Sequence, residues 1–477
     1  MASINVQSIY ILVFVNIAYF LSQEKLSALL KGNPVIGSQE FQDSFLHLRY
    51  EEELTRHRIE ASWKKYFPCI IPKAVILNPG EPLYDWVNDD NLGQILDEVF
   101  ETGYIIAFLE SLQQFLSIRE VFESVMLNFA SNNSATDPVD HISDVWDGSF
   151  VKRIPLYVQQ KGAILCFQIY MDEVELSNPL GSKKGKHKVS VFYWVLMNLP
   201  PSFRSSLRCI QLLGIVNSEL LKQRGVDVFL RHFLDDLIIL HEGVTLNVRG
   251  EQKVWFGILL HFCGDIIPAA NFVGGFKEGV GFANLPCRSC MISRDSLDEI
   301  HQESECILRE KISHENQVKE VEKEGLTKTA REAVSTRYGV NRGCLFRALS
   351  YFDPTKCFMH DLMHTANEGV LNREIGYFLR YAILDEEIEL NLESVNYNMS
   401  TLKSDREFTV PPPIILREVM DRKKLSFSSS EMSSLTICLP LVMGEFVSSD
   451  NPYYANLLLH LWKFSYLFNA TRSQRSN

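Results

Sequence analysis

A chain of 477 residues is long enough for two to four domains, and 46% hydrophobic with 22% charged residues is ordinary for a globular protein that buries a sizeable core. The formal net charge of −12 argues at first against a polyanionic partner, because DNA affinity rests on Lys and Arg neutralising phosphates. Ten cysteines, of which only Cys287 and Cys290 stand at a close spacing, exclude a dense disulfide framework and favour a reducing compartment.

The acidity is uneven. Residues 1–150 carry 9 Lys/Arg against 21 Asp/Glu, whereas residues 151–294 carry 17 against 11. Residues 8–22 form an apolar run about as long as a signal-peptide core, yet no basic stretch precedes it and no small-residue cleavage site follows. It is read, within an apolar segment 1–38, as a buried helix or as a start placed inside a longer gene. Residues 39–130 are expected to form a helical N-terminal domain, in which Leu96, Val99, Phe100, Tyr104, Ile105 and Phe108 make one inward stripe. A polar stretch from Ser131 to Pro138 opens a linker, 131–150.

Strand-like runs follow at Ile154–Val158, Ile164–Met171 and Val189–Met197, then helical patterns at 205–224 and 226–241, then a strand at Val254–Cys263. This is the order in which an RNase H-like fold opens, although periodicity alone fits many α/β folds. Residues 295–350 are read as a charged, solvated insertion, 351–395 as a helix rich in His and acids, and 396–477 as a helical C-terminal region that stops short.

Two apolar runs end in acids. Gln168-Ile169-Tyr170-Met171 leads to Asp172, and Leu259-Leu260-His261-Phe262-Cys263-Gly264 leads to Asp265. Strand-end carboxylates that meet across a sheet can hold two Mg²⁺ ions, the arrangement used for in-line displacement at phosphorus. The Cys287-Arg288-Ser289-Cys290 pair supplies half of a tetrahedral zinc site. His360 and His364, four apart on a helical face, could supply the rest, with Glu368 one turn further on. A basic turn, Lys183, Lys184, Lys186 and Lys188, directly follows the first acidic strand end and could neutralise phosphates.

Taken in order, these stretches resemble CACTA-type (En/Spm) DNA transposases and related transposon-derived genes. The resemblance is carried by YMDEVELSNPLGSKKGKHKVSVFYWVLMNLPP from Tyr170 to Pro201, by the strand ending in Gly264-Asp265, by Gly274-Gly275-Phe276, by Cys287/Cys290, and by Asp361-Leu362-Met363-His364 with Glu368-Gly369-Val370. It spans roughly residues 60–470 and is most specific at 168–215 and 257–291.

The resemblance implies an RNase H-like catalytic core holding Mg²⁺ or Mn²⁺ on an acidic triad. Asp172 and Asp265 would be its first two acids, and the third would be Asp361, Glu368, or one of Glu386 and Glu387. It also implies a Zn²⁺-stabilised insertion on Cys287, Cys290 and His364, with His360 as candidate fourth ligand. The partners implied are transposon-end and target DNA and a second copy of the chain, in the nucleus, with no membrane. The alternative is a transposon-derived nuclear protein that binds DNA or protein without cutting.

Overall fold

In the computed structural model the described residues are 70–80, 82–89, 93–134, 144–176, 188–264, 267–361, 363–384, 388, 390–402, 411–422, 424–444, 446, 459–461 and 463. The segment 1–38, the first part of the 39–130 region, Asp265, Lys183, Lys184, Lys186, Glu386 and Glu387 lie outside them.

Ten strands are described: β1 (Lys73–Ile76), β2 (Leu83–Asp89), β3 (Gly93–Val99), β4 (Thr102–Ile105), β5 (Leu165–Glu175), β6 (Lys188–Leu196), β7 (Ile210–Asn217), β8 (Val244–Val248), β9 (Glu251–Trp255) and β10 (Gly257–Gly264). Six of them form one mixed sheet in the order β1-β4-β7-β6-β5-β10, while β2/β3 and β8/β9 are separate hairpins. Within the sheet β5, β6 and β7 make an antiparallel meander, with β5 and β6 in unbroken register from Phe167↔Leu196 to Glu175↔Lys188. The chain then returns so that β10 lies parallel to β5. A parallel return needs a long crossover, and two helices, Ser218–Arg224 and Val226–Glu242, supply most of it.

The helices that cover the sheet are α1 (Phe108–Ser117), α2 (Arg119–Ser134), α3 (Ser149–Lys152), α4 (Pro155–Gln159), α5 (Pro201–Arg204), α6 (Ser218–Arg224) and α7 (Val226–Glu242). Along α7, Phe229, Leu230, Phe233, Leu234, Leu237 and Leu240 are buried at helical spacing. They join Phe167, Ile169 and Met171 of β5 and Phe192 and Trp194 of β6 in the main core. Phe108 of α1 meets Phe167, Trp194 and Phe233 edge-to-face at 4.8–5.4 Å. The opposite face buries Val189, Val191 and Val195 of β6, and among the described residues its cover is seen at one end. There Trp146, Ile154 and Tyr157 pack on Cys166, Ile258 and Leu260, while farther along β5 Gln168, Tyr170 and Asp172 on that face stay half-buried.

Beyond the sheet come α8 (Lys311–Val321), α9 (Lys328–Tyr338), α10 (Pro354–Cys357), α11 (Asn372–Leu384), α12 (Leu392–Thr401) and α13 (Ser429–Met443). The last three enclose their own core, which includes Ile375, Phe378, Leu379, Val395, Met399, Leu435 and Leu439. No helix among the described residues is long and apolar enough to cross a membrane.

The mixed α/β architecture agrees with the sequence reading, and several elements do not. The stripe expected from Leu96 to Phe108 divides into β3, β4 and the start of α1, and Leu96 is exposed. β4 then joins the central sheet through β7, and Val75, Leu77 and Phe108 enter the main core, so this stretch belongs to the core rather than to a separate helical domain. The strand expected at Ile154–Val158 is the helix α4, started by Pro155, whose fixed φ suits a first helical turn. The helix expected over 205–224 begins only at Ser218, where Asn217 Oδ1 accepts from the backbone N–H groups of Glu219 and Leu220; the residues before it form β7. The insertion is not merely solvated, since Arg309, His314, Gln317, Val318 and Val321 are buried.

Candidate active site at the Asp172 end of the sheet

Side chains alternate along β5, so Leu165, Phe167, Ile169 and Met171 enter the main core while Gln168, Tyr170 and Asp172 share the other face. On β6, Asp172 is opposite Val191, and Tyr193 is opposite Tyr170 on the same face. Burial, and then the charge of Asp172, raise the Tyr193 hydroxyl above its ordinary pKa. Asp172 is thus a half-buried carboxylate toward the end of β5, opposite the buried Val191.

β10 brings His261, Cys263 and Gly264 beside Gln168, Tyr170 and Met171. Gly264 has φ +149°, and a Cβ there would lie 2.5 Å from the Met171 carbonyl oxygen, so only glycine permits this close approach. The next residue in sequence is Asp265, outside the described residues, as noted. Burial, and then the charge of Asp361, push the Cys263 thiol up to about 12. In register Cys263 lies beside Tyr170 of β5. Burial and the Arg204 guanidinium hold His261 down to about 4.

Asp361 arrives by a route periodicity did not reveal. Phe358 forms a parallel bridge with Phe262 of β10, and Met359 N donates to Phe262 O at 3.1 Å. This adds a single position to the sheet beyond β10. Asp361 then caps a π-helical turn, Met363–Leu371. Its Oδ1 accepts from Met363 N at 2.8 Å and His364 N at 3.3 Å, and its Oδ2 lies 2.5 Å from His364 Nδ1. A carboxylate only accepts, so the ring nitrogen is the donor. Glu368 follows on the same turn, with Oε2 4.0 Å from His364 Nε2. Asp361, His364 and Glu368 are therefore neighbours. A second π-helical stretch, Ile267–Val273, comes soon after β10.

Cys287 and Cys290 form a tight turn in which Cys287 Sγ accepts the backbone N–H groups of Ser289, at 3.3 Å, and Cys290. Arg309, almost wholly buried, lies beside the pair and donates to the carbonyl oxygens of Cys287 and Tyr338, both at 3.1 Å. His360 Nε2 is 2.8 Å from Ser289 Oγ. His364 does not join the cysteines, because its ring is held by Asp361. Among the described residues no three His, Cys, Asp or Glu side chains are gathered as a metal-binding set.

The basic turn is described only at Lys188. In register Lys188 pairs with Glu175, on the face opposite Asp172, and its ammonium lies 3.9 Å from Glu173, which Lys222 also approaches at 2.8 Å. Although the basic turn directly follows the acidic strand end, strand alternation puts Lys188 on the other side of the sheet from Asp172.

The sequence reading missed Arg288 and Glu278. Arg288 is 1% exposed, bonded to Glu278 at 2.6 Å and to the Met359 carbonyl at 2.7 Å. Its position inside Cys287-Arg288-Ser289-Cys290 was the only signal available. No family model matches the chain, and no curated protein matches it.

Proposed function

We propose that the chain carries an RNase H-like core of the acidic-triad type and that, as its resemblance to CACTA-type transposases suggests, it cuts and joins DNA strands in the nucleus. The observation that carries this reading is the strand succession. An antiparallel meander, two helices and a strand parallel to the first, followed by the bridge at Phe358, are the order in which such a core is built. Of the acids named from sequence, Asp172 stands on β5, and Asp361 follows the bridge that Phe358 makes to β10, the strand beside β5, which supports the reading.

Oxygen donors of this kind suit Mg²⁺ or Mn²⁺, and Asp172 and Asp361 would be the ligands, with Asp265 and Glu368 the remaining candidates. Such ions, when bound, polarise a phosphodiester and activate water and then a DNA 3′-hydroxyl for attack. The chain's own share would be to hold Asp172 on a strand paired with β6 and β10 and to keep Asp361 oriented through His364. For Zn²⁺ the fit is half: two sulfurs and two backbone N–H donors suit a thiolate site, but the histidines are turned to Ser289 and Asp361.

A second reading, a transposon-derived nuclear protein that binds DNA or protein without cutting, is favoured by one observation. Asp361 already accepts from two backbone N–H groups and a histidine, which leaves it fewer lone pairs for an ion. Nicking of supercoiled DNA in Mg²⁺ or Mn²⁺ separates the two. The first reading expects cleavage by the intact protein and its loss, with DNA binding kept, in Asp172→Asn. DNA binding with no cleavage by the intact protein would leave the second.

A further inference from the structure

The Cys287–Cys290 turn grips the backbone that leads into Asp361, and the grip is made by the two residues between the cysteines. Arg288 Nη1 bonds Glu278 Oε2 at 2.6 Å, and its backbone N–H donates to Glu278 Oε1 at 3.0 Å. The same guanidinium reaches past the ion pair and donates from Nη2 to Met359 O at 2.7 Å. Next to it, Ser289 Oγ meets His360 Nε2 at 2.8 Å. Consecutive residues of the turn thus hold consecutive residues of the segment, one and two positions before Asp361. From the other side Met359 N donates to Phe262 O.

We infer that Arg288 is a positioning residue that clamps Met359–His360 against β10 and so fixes where Asp361 and the π-helical turn stand relative to Asp172. The inference rests on the acidic-cluster reading for its functional consequence and on geometry alone for its mechanical one. An ion pair alone would need only a cation at position 288. The second bond, to a backbone carbonyl from the other arm of a planar fork, is what only arginine supplies.

That difference separates a positioning role from a merely structural one. Arg288→Lys keeps a charge for Glu278 and loses the fork, so its melting temperature should stay close to that of the unaltered protein. Amide hydrogen exchange across 359–371 in the full chain should nevertheless accelerate by about ten-fold or more, with β5 and β6 unchanged. Mn²⁺ binding, followed by electron paramagnetic resonance, should weaken by a similar factor. Should Arg288→Lys not fold, the double replacement Arg288→Met/Glu278→Gln removes both charges together and is read the same way. Ser289→Ala should give a smaller acceleration in the same segment. Unchanged exchange at 359–371 in the folded Arg288 variant would overturn the inference, as would lysine restoring both exchange and Mn²⁺ binding. If the intact protein binds no Mn²⁺, the acidic-cluster reading fails, while the exchange data still decide whether Arg288 is the clamp.

Discussion

Phe262 and Phe358 pair as parallel neighbours at the edge of the central sheet, with ring centroids 5.4 Å apart. This single bridge extends the sheet past β10 and delivers the segment that bears Asp361. Phe358 is 2% exposed and also meets the rings of Phe276 and Phe352. Phe358→Ala should therefore destabilise the protein by about 3–5 kcal/mol, measured as a shift in the denaturant midpoint. A loss below about 1 kcal/mol would mean that the bridge is not part of the cooperative core.

Asp144 and Arg204 form a two-point ion pair, Nη1–Oδ1 at 2.5 Å and Nη2–Oδ2 at 2.6 Å, while Arg204 Nε donates to Leu199 O at 2.7 Å. Both side chains are less than one-fifth exposed. The pair ties the segment preceding α3 to α5, and Asp144 also caps the short turn Val145–Asp147. Arg204→Ala should cost about 2–3 kcal/mol, because it strands a largely buried carboxylate. In a double-mutant cycle with Asp144→Ala the two losses should fall well short of additive.

Stability should decline in mild acid. His314 is 1% exposed and stacks on Phe276 at 4.8 Å, and among the described residues neither of its ring nitrogens has a hydrogen-bond partner. Burial first, then Arg309, hold it down to about 4 against the opposing pull of Asp353, with Arg347 adding to the depression. His261 is likewise held down to about 4. Below the ordinary value of 6.5 the unfolded chain takes up protons that the folded chain refuses until about pH 4, so folding stability falls across that window. Each histidine contributes a slope of about 1.4 kcal/mol per pH unit. His314→Leu should flatten the profile by about one such proton; an unchanged profile would show that His314 does not titrate differently on folding.

Lys188 stands on the face opposite Asp172 and faces Glu173. Lys188→Ala should therefore change the slope of log affinity for duplex DNA against log salt by much less than the roughly 0.9 expected of one phosphate contact. A full decrement would mean that DNA approaches from the helix-covered side.

Legibility followed how local each determinant was. β5 and β6 could be read from uninterrupted apolar runs, and α7 from its buried stripe, because burial on a sheet or along a helix leaves its own period. The segment from Leu96 to Phe108 satisfied helical spacing and still became strands, since β4 is decided by its partner β7, more than 100 residues away. α4 carried β-rich residues, and Pro155 at its first turn outweighed them. Asp172 and Cys287/Cys290 were visible as residue types at a spacing. Their partners were not, because the contacts of Arg288 with Glu278 and Met359, and of Arg309 with Gln317, are made by side chains that elsewhere face water. The placement of His364 on Asp361 rather than on the cysteines depends on the turn that Asp361 caps, which helical spacing alone cannot reveal.

The proposed function requires a divalent-metal site at the end of β5 that carries Asp172. Its most direct test is anomalous diffraction from crystals of the full chain soaked in Mn²⁺. The account predicts a Mn²⁺ peak about 2.0–2.3 Å from a carboxylate oxygen of Asp172, shared with Asp265 or with an acid of the Asp361–Glu368 turn, and no such peak in Asp172→Asn. Well-ordered carboxylates at these positions with no Mn²⁺ between them, or with Asp172 and every partner acid more than about 10 Å apart, would contradict it.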